Sequence, residues 1–417
     1  MQVRNTVLIA ALAAAPGLLH AQFDFKIADR SIQIHSFASQ GFMYSNDNNY
    51  MTMNTSKGSF AFTDVGANVS TRLTDKLRIG AQIYDRNVGK LGNWQPTLDW
   101  AVADYKFKDW FGIRAGKVKS TLGLFNDSQD AAFLHTWALM PQSVYSLDQR
   151  GSMISHYGAD VYGNISLKSL GSLSYTVYGG EKPQDMTGGF VYALETSRFV
   201  AVNANGLPYL APSTPATARK LDSFGGTAMG ADLRWNTPVK GWLVGSSYVI
   251  QDTSADGLYP ASGKAVMFRT VKDNTAAYYT QYSRGNFRFD GEYRRQINPA
   301  RLTSTPGVLG AAILKDMRMG YVAASYRLTK MLEVGSYHSR FIAFDNLPHS
   351  DPLNHIFDTV VTARVDLRSY LDLKVEAHFI DGVMPNTAIS RGFYAGPNPD
   401  GLKPNTRLLV IRLGYHL

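Results

Sequence analysis

Apolar and polar positions alternate with a period of two along much of this chain, most plainly at its end. There Leu409, Ile411, Leu413, Tyr415 and Leu417 share one parity, while Arg412, Gly414 and His416 share the other. A period of two marks a β-strand whose two faces meet different surroundings. The same pattern recurs upstream. Over 77–84, Leu77, Ile79, Ala81 and Ile83 form one face and leave Arg78 and Gln82 on the other. Over 361–368 the apolar face is Val361, Ala363, Val365 and Leu367, and over 371–379 every polar residue falls on a single parity. A slip of one residue would exchange the faces, so the register is strongly set.

Two kinds of connection separate these segments. Tight ones lie at 74–76, 108–109, 168–171, 238–241, 284–286, 329–330 and 368–370, and they read as β-hairpin turns. Longer stretches rich in Gly, Pro, Asn and Asp lie at 45–58, 87–94, 120–151, 181–225, 252–273, 297–314, 343–353 and 381–404. Together they divide the chain into about 16 strands, each able to supply the roughly 9–11 residues of a tilted membrane-spanning strand. The predicted fold class is all-β: a transmembrane antiparallel β-barrel with short periplasmic turns and long outer loops. Closure requires the terminal strand to pair with the first, which the pattern places near Ile32-Gln33-Ile34.

The N-terminus has a different pattern. Arg4 precedes an apolar run over 7–15, then Pro16-Gly17 and a small-residue cleavage site ending at Ala21. The run to Leu19 is shorter than the roughly 20 residues needed to span as a helix, so 1–21 reads as a cleaved signal peptide. Residues 22–417 then form the barrel, delivered to the outer membrane of a Gram-negative cell. Mean hydropathy is −0.17, as for a soluble protein, because each apolar residue of a barrel strand alternates with a polar one. With no cysteine, the chain has neither disulfides nor thiolate metal sites. Aromatic residues gather beside the short turns, at Tyr105, Phe107, Trp110, Phe111, Trp235, Trp242 and Tyr326, as in an interfacial girdle.

On the lumen parity lie Arg72, Arg78, Lys106, Arg114, Arg234, Arg288, Arg364, Lys374 and Arg412, together with Asp64, Asp104, Asp160, Asp232, Asp290, Glu292, Asp366, Asp372 and Glu376. These charges either pair across neighbouring strands and keep the wall hydrated, or stand as opposed basic and acidic walls that set a transverse field across a channel, and the two are compatible. The net charge of +9 leans weakly towards anions, and its scatter along the chain argues against a nucleic-acid partner. The third long loop, 120–151, carries Leu122, Leu124, Phe125, Phe133, Leu134 and Trp137. It is too apolar to stay in water and is expected to fold into the barrel, bringing Asp127 and Asp130 to a basic wall; the alternative is a loop that caps the mouth or contacts a neighbouring subunit.

The runs Gly116-Lys117-Val118-Lys119, Leu122-Gly123-Leu124-Phe125-Asn126-Asp127 and Leu139-Met140-Pro141-Gln142-Ser143-Val144-Tyr145 resemble the third-loop region of Gram-negative outer-membrane porins, in particular proteobacterial porins related to the phosphate-selective type. That resemblance implies a homotrimer of 16-stranded barrels, with an inward third loop and passive diffusion of solutes. It places Lys117, Lys119, Asn126, Asp127 and Asp130 at the constriction. Pore-lining candidates from the alternation are Arg72, Arg78, Arg114, Arg234, Arg288, Arg364, Lys374 and Arg412. Two departures stand out: the acids on the lumen face do not suit a purely basic ladder, and the chain ends in Leu417 where the family usually has Phe.

The expected function is a water-filled channel for small hydrophilic solutes or ions, with outer-membrane lipid around it and no cofactor. A barrel enzyme of lipase or protease type and a substrate-specific uptake channel are the alternatives. No nucleophile-elbow or phosphate-loop motif supports catalysis. His349, His355, Asp351 and Asp358 lack ligand-like spacing for a metal.

Overall fold

The computed structural model describes residues 23–27, 30–197, 201–202, 208–209, 212–304, 312–384 and 391–417. The expected signal peptide, 1–21, and its expected cleavage at Ala21 lie outside the described residues. Sixteen strands form the barrel: β1 (Arg30–Ser45), β2 (Ser59–Arg72), β3 (Leu77–Val88), β4 (Thr97–Lys108), β5 (Phe111–Lys119), β6 (Ser155–Ser166), β7 (Ser172–Lys182) and β8 (Lys220–Asn236), followed by β9 (Trp242–Leu258), β10 (Ala265–Arg284), β11 (Phe287–Ser304), β12 (Ala312–Arg327), β13 (Leu332–Ile342), β14 (His355–Arg368), β15 (Leu371–Asp381) and β16 (Asn405–His416). Each pairs antiparallel with its sequence neighbours, and β16 returns to β1. Closure leaves no sheet edge unpaired, the condition for strands to cross lipid.

The alternation predicts the faces correctly. Ile79, Ile83, Val361, Val375 and Phe379 are exposed on the outside, whereas Asp372, Lys374, Glu376 and His378 are buried inside. Tyr105, Phe107, Trp110, Trp235, Trp242 and Tyr326 are exposed beside the short turns.

Three details differ from the sequence reading. First, β16 closes against Phe37–Ser45, not against Ile32-Gln33-Ile34. Those residues instead pair with a short N-terminal strand, Phe23–Ile27, on one side and with Val69–Thr71 on the other. The seam is therefore set by the backbone of Ser36, which exchanges hydrogen bonds of 3.1 and 2.7 Å with Leu417. Second, most of 252–273 is strand: β9 and β10 run for 17 and 20 residues and leave only a short loop between them. The 297–314 stretch is likewise largely β11 and β12. Ser, Thr, Gly and Asp along these extensions read as loop, although a ladder that continues past the membrane needs no apolar face.

Third, the loop-side half of the lumen is packed rather than watery. Inward residues Met43, Phe62, Val88, Met317, Met319, Tyr321, Phe341, Val360, Leu408 and Val410 form a buried cluster with Met51, Phe125, Trp137, Leu139, Tyr145 and Phe393 from the loops. The first and last loops also lock together, with Met51 N–H on the Gly392 carbonyl at 2.6 Å and Tyr50 edge-on to Phe393. A helix in the fourth loop, α1 (Gly189–Thr196), adds Phe190, stacked on Phe224 at 4.7 Å.

Candidate functional site

The third loop follows β5 and turns into the barrel, where it contacts most of the wall. Its entry depends on a missing side chain. Gly123 has φ +81, and a Cβ there would run into the Glu292 carboxylate and the Arg294 guanidinium. Only glycine can bring the loop backbone this close to the wall at that φ. Asn126 joins the two ends of the loop, donating from Nδ2 to the carbonyls of Ser120 (2.6 Å) and Met153 (3.3 Å).

Wall carboxylates accept from the loop. Glu292 takes the amide of Leu124 (3.2 Å) and the Tyr145 hydroxyl, Glu376 takes the amides of Ala138 (2.6 Å) and Leu139 (3.0 Å), and Glu333 takes the Thr136 hydroxyl (2.6 Å). Wall cations donate to loop carbonyls. Arg364 reaches Phe133 (2.7 Å) and His135 (2.9 Å), Lys374 reaches Ala132 (2.5 Å) and Trp137 (3.2 Å), and Arg412 reaches Ala138 (2.9 Å). These bonds are charge-assisted and so among the stronger ones available. His416 stacks beneath the loop on Phe133 at 4.5 Å. His135, in the loop and so outside the strands, is driven down to about 3 by burial, against its contact with the Ser128 carbonyl. It therefore stays neutral.

Wall charges pair locally rather than as opposed walls. Arg234 pairs with Asp232 (2.9 Å), Arg288 with Asp290 (2.9 Å), Arg294 with Glu292 (2.6 Å) and Arg364 with Asp366 (2.7 Å). Each pair is separated by two positions and so shares one face of one strand. The expected transverse field is thereby divided into short-range pairs.

The loop divides the lumen. On the turn side lies a cavity of about 670 Å³, bordered by Arg78, Lys106, Arg114, Lys117, Lys119 and Arg234 against Asp104, Asp109, Asp127 and Asp232. On the loop side is a smaller one, of about 100 Å³. The segment 119–122 separates them: Lys119 and Thr121 border the first, Ser120 and Leu122 the second. Arg234 and Arg294 hold this partition by the carbonyls of Gly123 (3.1 Å) and Leu122 (2.9 Å).

Among the candidates, Arg78, Arg114, Lys117, Lys119, Asp127 and Arg234 border the turn-side cavity. Lys117 is tied down, with its ammonium on the Leu98 carbonyl and 5.0 Å from the Tyr157 ring. Asp127 is the accessible acid of the loop, 3.5 Å from Arg234. The others do not face this space. Asn126 is buried as a clasp, and Asp130 is buried against Lys119 (2.8 Å) and Gln82 (2.9 Å). Arg364, Lys374 and Arg412 carry the loop, and Arg288 lies 5.2 Å from the Phe125 ring. Arg72 is exposed at the turn end of β2, opposite Arg78.

Sequence reasoning missed Arg294 and the Asp99–Arg150 pair (2.5 Å). Arg294 continues the parity of Arg288, Asp290 and Glu292, so its signal was present. A register shift at Gln82/Ile83 conceals Asp99 from any count by parity.

The sequence matches no protein-family model and no curated relative. Solved structures do match. The outer membrane channel DcaP of Acinetobacter baumannii aligns over 94% of this chain and 99% of its own, with 10% identity and a TM-score of 0.54. OmpF of Salmonella typhi, in complex with daunomycin, aligns over 95% and 100%, with 10% identity and a TM-score of 0.53. An anion-selective porin from Comamonas acidovorans aligns over 93% and 100%, with 10% identity and a TM-score of 0.51. The chain thus has the fold of the bacterial outer-membrane porins, a closed 16-strand antiparallel barrel.

Proposed function

We propose that this protein is an outer-membrane porin, exported by its N-terminal signal peptide, that lets small hydrophilic solutes diffuse passively and prefers anions. The observation that carries this reading is the partitioned lumen. A charge-bordered cavity opens on the turn side, and a loop anchored by wall charges narrows the way beyond it. No chemical step is required, since solutes move down their gradients and the charges at Lys119, Asp127 and Arg234 bias which ones pass. The apolar exterior and turn-side aromatics fit a barrel in lipid. A homotrimer is proposed on the porin resemblance. Purified protein in a planar bilayer is expected to give discrete, small conductance steps. A folded, heat-modifiable barrel that produces no steps would overturn the proposal.

One contact favours the enzyme alternative: Ser120 Oγ lies 3.0 Å from His156 Nδ1 at the partition. Among the described residues, no carboxylate hydrogen-bonds to that ring, as a nucleophile–base pair normally needs. Turnover of an ester or peptide abolished by Ser120→Ala would favour the enzyme.

A further inference from the structure

The loop-side cavity lies beneath the outer loops, walled by β6 to β12, the third loop, α1 and the last loop. Its wall gathers buried polar atoms that have no hydrogen-bond partner among the described residues. They are His156 Nε2, Thr270 Oγ1, Asn298 Oδ1, and both Nε and Nη1 of Arg391. One such atom left unpaired costs about 1–3 kcal/mol, and native structures keep few of them. Here four residues that line one space carry such atoms, and both donors and acceptors are present. A solute that enters this space must offer these atoms hydrogen bonds equal to those of the water it displaces.

Arg391 sets the charge of that solute. It is 4% exposed, lies 4.8 Å over the Phe341 ring, and among the described residues its Nη2 reaches only the Met319 sulfur, at 3.9 Å. The carboxylate in the same wall, Asp273, is already taken up by the amides of Gln251 (3.2 Å), Gln296 (2.9 Å) and Asn298 (2.6 Å). The carboxylate that acts most strongly on the guanidinium, Asp148, is fully buried and takes the hydroxyls of Ser146 and Tyr394 (2.6 Å), so among the described residues neither acid hydrogen-bonds to Arg391. Lys182 and Lys315 join it in the lining, besides Arg294, which Glu292 holds at 2.6 Å. Phe224 and Phe268 supply an apolar side, and about 100 Å³ is less than the roughly 150 Å³ that holds a bare benzene ring, which limits the solute to a few heavy atoms.

We infer that this cavity is a binding pocket for a small aliphatic hydroxycarboxylate, the carboxylate held by Arg391 and the hydroxyl group by Thr270 or Asn298. It goes beyond the channel reading by giving the path a saturable station.

Calorimetry on the full chain in detergent tests it, with lactate as probe and lactamide as its uncharged counterpart. The carboxylate is expected to bind saturably and the amide far more weakly. Arg391→Gln should weaken the carboxylate about tenfold or more and leave the amide unchanged. Thr270→Val removes an unpaired hydroxyl at constant shape, so the barrel should fold as before while affinity falls a few-fold. No saturable binding by a folded, heat-modifiable barrel would overturn the inference, as would affinity indifferent to both substitutions. Conductance without binding would sink this inference alone, and binding without conductance would sink the channel reading alone.

Discussion

Glu376 shows how this barrel uses its inward charges. On the alternation it is one more hydrated wall residue, yet it is fully buried, and its two oxygens accept the amides of Ala138 and Leu139. Arg364, Lys374 and Arg412 act in the opposite sense, on carbonyls of the same loop. Which face each charge occupies was legible from parity. What it touches was not, because the partner is a loop more than 200 residues away in sequence. Glu376→Gln exchanges one acceptor oxygen for an amide group and leaves one loop N–H without an acceptor, at about 1–3 kcal/mol. Hydrogen exchange of Ala138 and Leu139 is therefore expected to speed up about tenfold while the strand amides keep their protection. Unchanged exchange at those two amides would show that the carboxylate does not hold the loop.

At the level of strands, a clear period of two gave correct faces, as in β15, where Asp372, Lys374, Glu376 and His378 all point inward. In β16 it holds plainly over 411–417 and breaks just before. Leu408-Leu409-Val410-Ile411 is an unbroken apolar run, the usual mark of a strand buried on both faces, and Leu408 and Val410 do lie in the packed lumen. That run is the mark, within the chain itself, of the filled outer half of the barrel. Turn residues located all seven tight hairpins, whereas the long polar extensions of β9 to β12 read as loops because a strand beyond the membrane keeps no apolar face. The closing register is the element-scale claim most open to test. Ala38 pairs with Tyr415, and the chain has no native cysteine to interfere. Ala38→Cys with Tyr415→Cys should cross-link under mild oxidation, since paired residues on neighbouring strands meet disulfide geometry. Ile34→Cys with Tyr415→Cys should not, and the reverse outcome would restore the closure first read from the sequence.

For the molecule as a whole, loops from several hairpins fold inward and leave a barrel that is filled towards the loops and open towards the turns. The closed barrel and its faces follow from local pattern, but the division of the lumen at 119–122 depends on Gly123 fitting between Glu292 and Arg294. That contact is set in three dimensions, and a linear reading has no access to it. The consequence is electrostatic. Six basic side chains and four acids border the turn-side cavity, and Asp127 is the acid at the partition that is not locked into a buried pair. The reversal potential of single channels in a KCl gradient tests this account most directly. It should shift towards the chloride equilibrium potential, and further still in Asp127→Asn, where Arg234 loses a counter-charge. A shift towards the potassium equilibrium potential, or one that Asp127→Asn leaves unmoved, would contradict a path along Lys119, Asp127 and Arg234.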